Sequence, residues 1–176
     1  TQSASTEIGK SVNEAQNEMK NESKNKVLAV VFWILSGVCM GLIFWFSSRE
    51  AGQSAHQSEI ILKIVRAIFG ENAFSDFIVR KAAHFCEFAL LAFLFNFALL
   101  YTTGKKHIPL AIALTSLYAA SDEFHQLFVA GRSCQASDWL LDTCGGAAGA
   151  IFFIVIFLII KYIKVKTERT EKNECT

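Results

Sequence analysis

The stretch "VLAVVFWILSGVCMGLIFWF", residues 27–46, contains no charged side chain. About 20 apolar residues is the length an α-helix needs to cross the hydrocarbon of a bilayer. Trp45 and Phe46 close the run with the amphipathic rings that favour the membrane interface. Three more runs follow. Residues 82–101 are interrupted only by His84, Glu87 and Asn96. Residues 108–129 begin after "TTGKKH" with Pro109 in the first turn, where proline is tolerated. The last runs from Trp139 to Ile163, with Ser137 as its expected N-cap. The reading is an all-α polytopic membrane protein with four transmembrane helices. With 176 residues, 52% of them hydrophobic, the chain holds one domain, and a net charge of +1 gives no reason to expect nucleic acid.

Three segments lie outside the four spans. Residues 1–26 are polar and lack aromatics, and are expected to form a disordered or weakly helical cytosolic tail without the pattern of a cleavable signal. Residues 27–165 are expected to form the membrane domain, and 166–176 a charged cytosolic tail. Within the first outer loop, Ile61, Val65 and Ile68 share one helical face while Lys63 and Arg66 lie on another. This predicts a short amphipathic helix over 57–69, resting on the membrane or covering the bundle. Cys39, Cys86, Cys134, Cys144 and Cys175 show no C-x-x-C spacing, so neither a disulfide framework nor a zinc site is expected.

Lys and Arg set the orientation. With the N-terminus inside, eleven of the 17 fall in inner segments, and Arg49, Lys63, Arg66, Arg80, Lys81 and Arg132 fall outside. Positive charge accumulates on the cytosolic side, so both termini are expected there. The consequence is a convergence of polar groups. The second helix enters from outside through "RKAAHFCEF", with Arg80, His84 and Glu87 on one face. The third ends outside in "SDEFHQLFVAGR", where Asp122, His125 and Gln126 share a face and Glu123 points about 100° away from Asp122. The fourth enters through "SDWLLDTCGGAAG", with Asp138 and Asp142 one turn apart, and Ser47 and Ser48 close the first helix at the same depth.

A carboxylate at mid-bilayer costs about 2.5–3.5 kcal/mol on the mild insertion scale, so these groups are expected to face a shared interior. One reading is a structural network, with Arg80 or Arg132 bridging carboxylates between helices. The count favours a functional site. Glu87, Asp122, Glu123, Asp138 and Asp142 outnumber Arg80, Lys81 and Arg132, a surplus that calls for a metal, a shared proton or a cationic ligand. Gly145 and Gly149, with Gly146, Ala147 and Ala148 between them, form a small-residue surface suited to close helix packing.

The segments "FSS", "RKAAHFCEFALLAF", "SDEFHQLFVAGR" and "SDWLLDTCGGAAG" resemble the VanZ-like family over residues 44–150. Its members are small bacterial integral membrane proteins named for an accessory factor of teicoplanin resistance. The resemblance marks Arg80, Lys81, His84, Glu87, Asp122, Glu123, His125, Gln126, Gly131, Arg132, Asp138 and Asp142, and implies a part in glycopeptide resistance or cell-envelope homeostasis. In an enzyme reading, His84, Glu87, Asp122, Glu123, His125 and Asp142 supply acid–base chemistry. Arg80, Lys81, Gln126, Arg132, Asp138, Ser47 and Ser48 hold an envelope lipid, lipid-linked glycan or glycopeptide, and a divalent metal is one possible cofactor. The alternatives are a module that binds and masks such a ligand, and a lipid flippase or transporter.

Overall fold

A computed structural model describes residues 2–48, 76–132 and 134–174. These form four α-helices: α1 (Gln2–Ser47), α2 (Asp76–Thr103), α3 (Ile108–Gln126) and α4 (Ala136–Glu174). Among the described residues there is no strand. The polar segment 2–26 forms the N-terminal part of α1, and residues 166–174 continue α4. The amphipathic helix expected over 57–69 lies outside the described residues, as does Cys175.

Among the described residues, three stretches are long and apolar enough to cross a membrane: Met19–Ser47, Phe77–Thr103 and Ala136–Thr167, with mean hydropathies of 2.6, 1.8 and 2.5. The chain is an all-α membrane protein. α3, with 19 residues, is more polar because Asp122 and Glu123 occupy its last turns. At 1.5 Å per residue it is still about 28 Å long, close to the thickness of the hydrocarbon layer. Side chains without a protein partner are apolar: Val30, Ile34, Val38 and Leu42 on α1 and Ile151, Val155 and Ile159 on α4 are all exposed. A surface of this kind is suited to lipid and not to water.

α2 is the hub, packed against α4, α1 and α3, while α1 and α3 meet only briefly. Glycines allow the closest approach. A Cβ at Gly145 would collide with the Phe85 carbonyl, and one at Gly149 with the Ala89 carbonyl. Both pairs are four residues apart, so α2 and α4 run in the same direction with their backbones touching over a full turn. Gly146 faces Thr115 of α3 and Ala92 of α2, which ties three helices together at one level. α1 and α3 run against this pair. Trp33 Nε1 donates to Thr102 Oγ1 at 3.0 Å, and Cys39 Sγ lies 4.0 Å from the Glu87 carbonyl. The Tyr118 hydroxyl donates to the Met40 carbonyl at 2.6 Å. Phe88, Leu91, Phe95, Leu99, Ile43 and Ala119 fill the centre.

Two helix boundaries differ from expectation. α3 stops at Gln126 and not near 129, because the chain turns: Phe128 N–H donates to the His125 carbonyl at 3.0 Å and Arg132 N–H to the Val129 carbonyl at 3.1 Å. Gly131 has φ 76°, a left-handed conformation that a side chain disfavours, and it sends Arg132 back over the bundle. α4 begins at Ala136, so Ser137 lies inside the first turn and is not its N-cap. Asp138 in that turn suits the positive end of the helix dipole.

Candidate functional site

These helix directions bring one end of α1, α2, α3 and α4 together, and a half-open cavity of about 150 Å³ lies there. α2 contributes Phe77, Arg80, Lys81 and His84, which recur at the spacing of one helical face. α3 contributes Glu123 and Gln126. The turn contributes Gly131, Arg132 and Gln135, and α4 contributes Asp138, Leu141 and Asp142.

Several of these groups hold one another in place. Lys81 Nζ is paired with Asp138 Oδ1, and its ammonium also sits 4.6 Å above the Phe77 ring. The backbone N–H of Gln135 donates to Glu123 Oε2 at 2.9 Å, anchoring the turn to α3. Gln126 Nε2 donates to Asp122 Oδ2 at 3.0 Å. Arg132, in the turn, is half-buried; burial and, next, the like charge of Arg80 lower its pKa, which still leaves a guanidinium charged at neutral pH. Two groups in the cavity wall are left with buried atoms that find no hydrogen-bond partner: Asp142 Oδ1 and His84 Nδ1. Asp142 is only 2% exposed. A buried polar atom without a partner costs about 1–3 kcal/mol, and in a cavity wall a water or a ligand can supply the missing bond.

Of the residues singled out from the sequence, Arg80, Lys81, His84, Glu123, Gln126, Arg132, Asp138 and Asp142 line one cavity. Asp122 and Glu87 do not. Asp122, 2% exposed, holds Gln126, and Glu87 lies 3.8 Å from His84 Nδ1. The expected surplus of carboxylate is therefore not in the cavity wall, where Glu123, Asp138 and Asp142 stand against Arg80, Lys81 and Arg132. Glu123 and His125, both expected in the site, part company. Glu123 lines the cavity, whereas His125 turns to α1, with Nε2 3.0 Å from Ser48 Oγ and its ring 4.4 Å from that of Phe44. α1 packs on the His125 side of α3, and α4 with the turn packs on the Glu123 side. Ser47 is fully buried and Ser48 partly so, and neither lines the cavity.

Phe77, Gln135 and Leu141 were not picked out from the sequence. Phe77 lies one turn before Lys81, and Leu141 three residues after Asp138, so extending each polar face by one turn finds both. Gln135 acts through its main-chain N–H, for which side-chain type gives no signal. Among the described residues, no three of His, Cys, Asp and Glu gather as a set that could hold a metal ion. Cys39, Cys86, Cys134 and Cys144 are free thiols.

The sequence model of the VanZ/LLP1 family matches residues 32–159, a range that contains every residue of the cavity. No curated protein and no solved structure matches the chain. The family match covers well over half of the 176 residues, with all of α2 and α3 and parts of α1 and α4. The chain belongs to the VanZ/LLP1 family.

Proposed function

We propose that the chain crosses the cell membrane four times with both termini in the cytosol, and that its cavity opens outward. There it takes the anionic head of an envelope lipid or lipid-linked glycan and modifies it, which lowers susceptibility to teicoplanin and related glycopeptides. The observation that carries this reading is the cavity itself. It gathers two guanidiniums, from Arg80 and Arg132, beside His84 and Asp142, at the end of the bundle that the Lys and Arg distribution assigns to the outer face. Guanidiniums recognise phosphate and carboxylate in a fixed fork geometry. An imidazole and a carboxylate in one cleft are suited to take and return a proton while a bond to the head group is made or broken.

A transport path receives no support from deeper in the bundle. The buried Ser36, Asn96 and Thr115 each hydrogen-bond the carbonyl four residues earlier in their own helix, at 2.8, 2.8 and 2.9 Å. Mass spectrometry of lipid extracts from cells with and without the protein, read beside teicoplanin susceptibility, tests the proposal. The expected result is an altered envelope lipid that disappears in His84→Ala together with the protection. Protection with unaltered lipids, and unaltered lipid recovered on the purified protein, would replace modification by masking.

A further inference from the structure

The cavity also carries information about the head group it takes, given the reading above that an envelope lipid binds there. Two features of its wall differ in kind. Arg80 and Arg132 come from α2 and from the turn after α3, on separate elements, and two like charges that line one small cleft favour an anion between them. The same wall also offers acceptors. Asp142 Oδ1 has no hydrogen-bond partner, although the residue is 2% exposed, whereas Glu123 and Asp138 are each engaged by Gln135 N–H and Lys81. An acceptor in that position calls for a donor on the ligand. The mouth is different again: Phe77 and Leu141 belong to the wall, and Ile78, Trp139 and Leu140 beside them are exposed, forming an apolar margin that continues into the lipid-facing surface.

We infer that the cavity selects lipids whose head is a phosphate diester bearing a free hydroxyl, with the phosphate between Arg80 and Arg132, the hydroxyl donating to Asp142, and the acyl or isoprenoid chain leaving past Phe77 and Leu141. Phosphatidylglycerol has this chemistry. Phosphatidylmethanol has the same charge and the same phosphate diester but no hydroxyl, so the pair isolates the role of Asp142.

The experiment measures binding of short-chain phosphatidylglycerol, phosphatidylmethanol, phosphatidylcholine and water-soluble glycerol 3-phosphate to the full chain in nanodiscs made of neutral lipid. Phosphatidylglycerol is expected to bind about tenfold more tightly than phosphatidylmethanol, as one hydrogen bond to a charged group allows. Phosphatidylcholine should bind least. Asp142→Ala should remove the difference between the first two lipids while keeping the preference for both over phosphatidylcholine. Arg80→Gln should weaken both anionic lipids alike. Equal affinity of the wild type for phosphatidylglycerol and phosphatidylmethanol would overturn the inference. If teicoplanin protection still required His84 in that case, the broader functional proposal would survive without it. Glycerol 3-phosphate binding as tightly as the lipid would show that the chain contributes nothing, and would overturn the lipid assignment.

Discussion

Asp142 combines three properties that structural carboxylates rarely share: it is nearly fully buried, it lines a cavity, and one of its oxygens has no partner. Asp122 is equally buried and also has one oxygen without a partner, but it does not line the cavity, so position in the cavity wall is what separates a ligand-binding role for Asp142 from a structural one. The two roles predict opposite changes in stability. Removing a buried carboxyl with an unpartnered oxygen also removes its desolvation cost, so Asp142→Ala is expected to lower Tm in detergent by no more than about 2 °C, under about 1 kcal/mol, while abolishing teicoplanin protection. Loss of expression together with activity would favour the structural role. Lys81 and Asp138 behave differently, because each satisfies the other and both side chains keep about a quarter of their exposure. Lys81→Asp should impair protection through like-charge repulsion, and the exchanged pair Lys81→Asp with Asp138→Lys should regain at least part of it. Failure of the exchange to restore any activity would mean that Lys81 meets the ligand directly. Residue type and spacing made most of this site visible beforehand. They could not separate Glu123 from His125, two positions on adjoining faces of α3, because that choice depends on which neighbour each face meets.

The helices owe their arrangement to a few backbone contacts that were foreshadowed by small residues. Gly145 and Gly149 press against carbonyls of Phe85 and Ala89, so even a methyl group must push α4 off α2. Gly149→Ala is expected to destabilise the protein by about 1–3 kcal/mol and to disturb the cavity, since Asp138, Leu141 and Asp142 ride on the same helix. Gly37 and Gly41 provide the comparison within one molecule. A Cβ at either meets nothing within 4 Å, and alanine there should leave Tm unchanged or slightly higher, because glycine is the poorer helix former. Thermal unfolding of the purified variants checks both, and equal losses at Gly37 and Gly149 would contradict the close-contact account. The existence of each helix was legible from its apolar run. The ends were less so: hydrophobicity continues through Leu127, Phe128 and Val129 after α3 has stopped, and the signal that ends it is the turn reaching Gly131.

Seen as a whole, the molecule separates two environments along its length. The middle of the bundle is largely apolar, with Ser36, Asn96 and Thr115 as uncharged exceptions inside, and the charged cavity lies at the end where α1 and α3 finish and α2 and α4 begin. This arrangement follows from chain direction. Four helices that alternate in direction return successive polar ends to the same side, which is why the clustering could be anticipated from residue order alone. What order could not give is the balance of charge within the cavity, because Glu87 and Asp122 share helices with cavity residues without lining it. Thiol labelling on intact cells joins the direction of the bundle to the openness of the cavity in one experiment. In a variant with its natural cysteines removed, a single cysteine at Gln135 in the cavity wall is expected to react with a membrane-impermeant maleimide, and one at Lys164 near the other end only after permeabilisation. Reaction at Lys164 but not at Gln135 in intact cells would put the cavity on the cytosolic side, and an outer-leaflet ligand could not reach it.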